Sequence, residues 1–163
     1  MRVIGIDPGI EKIGFAILEM AAGKLRLLDF GCIVTDKKHQ FSHRLNCLAT
    51  DLKTILRKWK PMAAGVEEIF FSKNVKTAIK VSHARGVILE ILEERGVPVI
   101  EFNPSHIKIA VTGDGKADKS QIKKMIQCLL AIKLKNDDTA DAIACGICLL
   151  TTNFNEALTK VPK

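Results

Sequence analysis

Val3-Ile4-Gly5-Ile6-Asp7-Pro8-Gly9 is the stretch that decides the fold. Its β-branched residues show little alternation with polar ones, the pattern of a strand buried on both faces. Pro8-Gly9 then removes a ladder donor and permits backbone angles that end the strand. Asp7 is therefore a bare carboxylate delivered to the end of a buried strand. Three more acids, Glu67, Asp138 and Asp141, stand in comparable settings far along the chain. Four carboxylates converging on one point repel unless a cation neutralises them, and magnesium is the natural candidate for an all-oxygen set.

Outward from that strand, Ile13 to Met20 and Lys24 to Val34 read as two more, joined by a turn at Ala21-Ala22-Gly23 into a three-strand meander. His43 to Trp59 spaces Leu45, Leu48, Ala49, Leu52, Ile55, Leu56 and Trp59 by three and four residues, one helical face that Pro61 stops. A short strand from Met62 to Ile69 follows. A second amphipathic helix then runs from Asn74 to Arg95, with Ala84, Val87, Ile88, Ile91 and Leu92 inward and Gly96 as its C-terminal cap. Val97 to Phe102 is the fifth strand, and Asn103-Pro104 opens a long loop in which Gly113 and Gly115 allow tight turns. Asp118 and Gln121 have capping-box spacing ahead of a helix whose predicted buried stripe is Ile122, Met125, Ile126, Leu129 and Leu130. A last helix begins near Asp138 and carries Asp141, Ile143, Ile147 and Leu150. The architecture expected is α/β, a five-stranded mixed sheet of three antiparallel strands joined by two parallel ones and flanked by helices. Without a repeat, low-complexity tract or linker, residues 1–155 read as a single domain and 156–163 as a flexible C-terminal tail.

The 163 residues suit one domain that buries roughly 70% of the surface its unfolded form exposes, with no need of disulfide staples. A formal charge of +7 and a pI near 9.2 favour a polyanionic partner, with a solvated basic surface as the alternative. Lys108, Lys116, Lys119, Lys123 and Lys124 gather beside the glycine-containing segment, which favours a groove. No signal-peptide succession is present, and the longest apolar run, Ala142 to Leu150, is far shorter than the ~20 residues a bilayer span needs. A cytoplasmic protein without membrane contact is expected. The five cysteines, Cys32, Cys47, Cys128, Cys145 and Cys148, are an odd number, expected as thiols and mostly as buried small hydrophobes. Cys145 and Cys148 have C-x-x-C spacing inside an apolar helical stretch with no second ligand pair, which argues against zinc or redox chemistry.

Glu67 and Glu68 end an apolar strand, where alternation points them to opposite faces, so one acid can meet a central site. Asp138 and Asp141, three apart, fall on one side of a helix with Cβ atoms about 5–6 Å apart. Each acid has a plainer reading. Asp137 and Asp138 suit the positive end of a helix dipole, and Asp7 before Pro-Gly can bond its own turn. Asp141 resists such a reading, because an unpaired charge inside a helix rich in Ala, Ile and Cys is costly to bury. Together the acids point to a two-magnesium centre that activates a water and stabilises the departing oxygen of a phosphodiester, with no side-chain nucleophile. The four histidines, His39, His43, His83 and His106, lie in polar or basic contexts that suit the surface and form no catalytic triad pattern.

In their order and spacing, five segments make the chain resemble the bacterial RuvC Holliday junction resolvases of the ribonuclease H-like superfamily. They are Ile4-Gly5-Ile6-Asp7-Pro8-Gly9; Val66-Glu67-Glu68-Ile69-Phe70 with Lys73-Asn74; Ala84-Arg85-Gly86; Lys108 with Val111-Thr112-Gly113 and Gly115 to Gln121; and Asp138-Thr139-Ala140-Asp141-Ala142. The resemblance covers nearly the whole chain and implies a ribonuclease H-like fold and a metal-dependent crossover junction endodeoxyribonuclease acting in recombination and repair. It further implies that Asp7, Glu67, Asp138 and Asp141 are the catalytic, metal-binding acids, which selects Glu67 over Glu68 and Asp138 over Asp137. Two Mg2+ per site are implied, with Mn2+ able to substitute. Phe70 takes the role of a wedge at the junction centre, with Phe71 beside it as the alternative; without the resemblance that Phe pair would read as core. Lys108 and Lys119 take places near the scissile phosphate, and Lys73, Asn74, Arg85 and Lys116 belong to the implied DNA-binding set. The implied partners are a four-way DNA junction, a second copy of the chain in a homodimer with the helix after Phe70 as interface, and a branch-migration motor complex.

Three rivals stand against this reading. One is another ribonuclease H-like nuclease, for example one processing ribosomal RNA precursors. Another is a non-catalytic junction-binding module, against which the presence of all four acids argues. The third is an actin-like nucleotide-binding domain, faintly suggested by Gly5-Ile6-Asp7-Pro8-Gly9; the chain has room for one such lobe and carries no second phosphate loop, so no nucleotide cofactor is expected.

Overall fold

The computed structural model describes residues 1–69, 75–134 and 139–152. Strand β1 (Arg2–Asp7) pairs antiparallel with β2 (Lys12–Ala21), which pairs antiparallel with β3 (Lys24–Val34) through a turn where Ala22 and Gly23 both have positive φ. On its other side β1 pairs parallel with β4 (Ala63–Glu67), and β4 with β5 (Val99–Phe102), giving the sheet order β3-β2-β1-β4-β5. This is the expected mixed sheet.

Alternation along the strands feeds two cores. Ile4, Ile6, Ile13, Ile17, Ala64 and Val66 pack under helices α1 (Phe41–Trp59) and α2 (Val75–Glu94). Val3, Ala16, Leu18, Ala63 and Phe102 pack on the other side under α3 (Pro104–Thr112), α4 (Lys119–Leu130) and α5 (Ala140–Thr151). Inward residues of α2 are as predicted, with Ala84, Ile88, Ile91 and Leu92 buried and Val87 packed against them, and Gly96 turns at φ +63° just after the helix.

Helix α5 lies against the sheet more closely than a side chain allows. A Cβ on Gly5 would stand 2.2 Å from the Ala142 carbonyl oxygen and 2.4 Å from the Gly146 nitrogen. A Cβ on Gly65 of β4 would sit 3.1 Å from the Cys145 carbonyl oxygen. The bare glycine backbone of two neighbouring strands is therefore a floor, and α5, buried at Ala140 and from Ala142 to Leu149, rests on it.

The structure departs from four expectations. The segment after Phe102 is a helix and not a long loop: Asn103 caps α3 by accepting from the Ser105 N–H at 2.7 Å, Pro104 occupies its first turn, and Gly113 closes it at φ +78°. The capping box of α4 forms in both directions, but its buried stripe narrows to Ile122 and Ile126, with Met125 and Leu129 exposed because among the described residues no element covers the outer half of that face. Helix α5 begins at Ala140 with Thr139 as its N-cap; Asp138 and the tail from 153 lie outside the described residues. Strand β4 is shorter than predicted, because Met62 is exposed and pairing ends at Glu67. Among the described residues no helix is long and apolar enough to cross a membrane.

The glycine floor makes a graded prediction. Gly5→Ala drives a methyl into main-chain atoms that cannot turn away and should cost about 3 kcal/mol or more, the upper range of overpacking. At Gly146 the added methyl collides only with the end of the Leu18 side chain, the Gly5 backbone standing at ordinary contact distance of 3.5–3.6 Å, and the helix interior favours Ala over Gly by about 1 kcal/mol, so Gly146→Ala should cost much less. Urea unfolding of both variants checks the order.

Candidate active site

Parallel pairing of Ile6 with Val66 means that the next residues, Asp7 and Glu67, leave neighbouring strands side by side, on backbones about 5 Å apart. Ala64 and Val66 point into the α1/α2 core, whereas Ala63 points to the α5 side, so alternation turns Glu67 toward α5 and Glu68 away from it. Asp7 shares that face by register. The third acid, Asp141, lies in the first turn of α5, where the positive end of the helix dipole favours a negative charge. The glycine floor that seats α5 thus also sets Asp141 beside the two strand ends.

Electrostatics confirm the convergence. Burial, with Asp141 nearby, raises the Asp7 carboxyl to about 6, and burial together with Asp7 and Asp141 raises Glu67 to about 7. Lys119, the first residue of α4, partly offsets this: its Nζ lies 3.1 Å from Asp141 Oδ2, and that hydrogen bond and charge hold the lysine above its usual range. The Lys108 charge also lowers Glu67 from its place on α3. The pair of Lys119 with Asp141 is largely open to water and adds little stability by itself, about 0–1 kcal/mol. Its chemical meaning is larger, because a cation already sits where three acids meet.

The donor set fits a hard divalent cation. Asp7, Glu67 and Asp141 offer only carboxylate oxygens. All four histidines are exposed elsewhere, and Cys145, fully buried beside the acids, has its thiol pushed up by burial and serves as packing. Cys148 is likewise raised, to about 11. Among the described residues no three His, Cys, Asp or Glu side chains close into a cage unaided. Asp138 lies outside the described residues.

Of the other predicted residues, Arg85 is drawn elsewhere: its guanidinium pairs with Glu101 of β5, whose partner Val66 points into the α1/α2 core, on the side away from Asp7 and Glu67. Lys116 is exposed in the turn between α3 and α4, its N–H donating to Asp114 Oδ1 at 2.8 Å. Phe70, Lys73 and Asn74 lie outside the described residues. The helix carrying Lys108 escaped the sequence reading, although the Asn103-Pro104 start, Ile107 and Val111 one turn apart, and Gly113 together signal it.

The sequence model of the family described as crossover junction endodeoxyribonuclease RuvC matches residues 3–149. The crossover junction endodeoxyribonuclease RuvC of Halothermothrix orenii is 42% identical over 150 residues, which cover 91% of each chain. In three dimensions the chain is similar to Thermus thermophilus RuvC with a TM-score of 0.87 at 30% identity, over 96% of this chain and 98% of that one. The same TM-score, at 31% identity over 98% and 96%, relates it to T. thermophilus RuvC in complex with a Holliday junction substrate.

The raised acids carry a pH prediction. Carboxylates ionise near 4 in an unfolded chain but at about 6 and 7 here, so between those values the folded state holds more protons than the unfolded one. Stability in a chelator should therefore fall as pH rises from 4 to 7, the slope following the proton difference. Asp7→Asn removes one of the repelling charges. Its melting temperature in EDTA at pH 7.5 should exceed that of the wild type by a few degrees, at about 2–4 °C per kcal/mol for a chain of this size. Calorimetry at pH 5 and 7.5 reads the difference, which should shrink at the lower pH.

Proposed function

The chain belongs to the RuvC family of crossover junction endodeoxyribonucleases, and on that premise we propose how its own residues divide the work of cutting a four-way DNA junction. The protein is a structure-selective endonuclease that resolves Holliday junctions by hydrolysing phosphodiester bonds, in a family of metal-dependent nucleases acting in recombination and repair. The observation that carries the assignment of roles is the meeting of Asp7, Glu67 and Asp141, from two strands and a helix, with the exposed Lys119 hydrogen-bonded to Asp141.

Asp7, Glu67, Asp138 and Asp141 would hold the divalent cations. When bound, two magnesium ions, or manganese in their place, supply an activated water and neutralise the departing oxygen of an in-line displacement. Ionisation of Asp7 and Glu67 is a precondition, since the protonated forms favoured below about 6 and 7 offer poorer ligands. Lys119 holds Asp141 in its orientation and, with Lys108, supplies fixed positive charge for the scissile phosphate as negative charge develops there. Lys116, exposed beside them, extends the basic surface along the DNA backbone. Phe70 is assigned to wedge the junction centre, with Lys73 and Asn74 contacting the strand beside it. Arg85 is committed to Glu101, and its part is to hold α2 against β5.

A homodimer matches the two-fold character of a four-way junction, because two equivalent sites then cut opposing strands. Ile79, half exposed on α2 next to the buried Ala78, supports that helix as the interface.

The test is a magnesium titration of cleavage on a synthetic four-way junction, linear duplex and structured RNA, with wild type and the four acid-to-amide variants. The junction should be cut in preference to the other two. Each amide should lower the rate by more than about a hundred-fold while leaving junction binding nearly intact, as expected where charge stabilisation at the reacting centre is lost. Preferential RNA cutting would overturn the substrate assignment, and tight junction binding by a wild type that never cuts would overturn the enzyme.

A further inference from the structure

Among the described residues only three polar or charged side chains are buried, Thr35, Arg44 and Thr139, and two of them meet on a single backbone oxygen. Arg44 donates from Nη2 to the Ile10 carbonyl at 2.9 Å and from Nε to Thr35 Oγ1 at 3.0 Å. The Thr35 hydroxyl donates to the same Ile10 carbonyl, and the Thr35 N–H donates to the Glu11 carbonyl at 3.0 Å. Ile10 stands three residues after Asp7, in the loop that joins β1 to β2. That loop is tight: a Cβ on Gly9 would lie 2.1 Å from the Lys12 carbonyl oxygen.

Position 44 is an unexpected place for a guanidinium. The buried residues of α1 are Arg44, Leu48, Leu52 and Leu56, a stripe at four-residue steps in which leucine would be the cheapest continuation. Burying a permanent charge is costly unless its donors are bonded, and packing alone gives no reason to keep it. Among the described residues no carboxylate forms an ion pair with Arg44, so its partners are a hydroxyl and a carbonyl. What this arrangement accomplishes is to tie the loop after Asp7 to the end of β3 and to the first turns of α1.

We infer that Arg44 and Thr35 are positioning residues for junction cleavage, which clamp the Ile10 carbonyl and thereby hold the Asp7 carboxylate in place to share a divalent cation with its neighbours. The inference rests on the assignment of Asp7 to the metal-holding set. Ladder pairing fixes the Asp7 backbone against Gly14 on one side, but of the six residues between them only Lys12 and Ile13 join a ladder, against β3. Asp7 has like charges beside it at Glu67 and Asp141, and the clamp fixes the loop that follows it. A displacement of about 1 Å at a reacting centre can cost a hundred-fold in rate, so a hydrogen-bonded brace three residues away is within range to matter.

Three variants separate positioning from support of the fold: Arg44→Leu, which completes the leucine stripe; Arg44→Lys, which keeps the charge but loses the two-pronged geometry; and Thr35→Val, which removes one hydroxyl at constant shape. Each is compared with wild type and Asp7→Asn for single-turnover cleavage of a synthetic four-way junction, junction binding in EDTA, melting temperature, and the magnesium concentration that half-saturates the thermal shift. Arg44→Leu should melt within a few degrees of wild type or above it and bind the junction equally well. It should nevertheless cut at least about ten-fold more slowly and need several-fold more magnesium for the same thermal shift. Arg44→Lys and Thr35→Val should fall between. A folded Arg44→Leu with wild-type cleavage and wild-type magnesium demand overturns the inference. Should Arg44→Leu fail to fold, Thr35→Val carries the same decision, since wild-type values for it would overturn the clamp. A wild type that does not cut the junction would instead sink the parent assignment, so the two failures are distinguishable.

Discussion

The contact on which the rest of the structure depends is the seating of α5 on the backbone of Gly5 and Gly65. It is a steric condition before it is an energetic one, because any side chain on Gly5 would overlap the main chain of Ala142 and Gly146. Once the helix is seated, its first turn falls at the ends of β1 and β4, and Asp141 joins Asp7 and Glu67. Nothing about those acids favours such a meeting by itself. Apolar packing of a helix that is buried almost throughout drives them together, and the glycines determine how closely.

The result is a site held in a state it would not choose alone. Two carboxyls raised to about 6 and 7 record the cost of ionising side by side away from water. Lys119, exposed and hydrogen-bonded to Asp141, relieves part of it from outside, and Lys108 adds a smaller share from α3. A divalent cation at these carboxyls would relieve that cost, because its binding would remove a penalty that folding has already imposed. The two apolar cores flanking the sheet bear that penalty, and this is the physical sense in which stability is converted into affinity.

How much of this could be read from the sequence follows the range of the interactions involved. Asp7 at the end of a β-branched run before Pro-Gly, and the alternation that separates Glu67 from Glu68, are local patterns, and the sheet bears both out. The capping box at Asp118 and Gln121 was equally legible, since its partners lie three residues apart. Helix α3 was hidden by its brevity and by the weight given to Pro104 and Gly113 as breakers, when here they are its start and its stop. The exposure of Met125 and Leu129 was not legible, because periodicity tells which residues share a face and not how far a neighbour covers it. Meeting points such as Asp141 with Lys119 join residues 22 apart, and it is the seating of α5 that brings them together.

Arg44 marks the limit most clearly. In the sequence it is one basic residue among 25, in a helix whose apolar spacing begins convincingly only at Leu45 and Leu48. The sheet divides the molecule so that α1 and α2 lie on the face opposite α5, and a side chain on α1 has no path through the packed strands to the acids. Arg44 reaches the acid-bearing strand just past its end, where β1 has given way to the loop to β2 and the Ile10 carbonyl accepts from its Nη2. Thr35, just past the last residue of β3, donates to that same carbonyl. A long, charged, rigidly forked side chain can reach such a carbonyl and a leucine cannot, and among the described residues the one buried guanidinium stands at this end of α1.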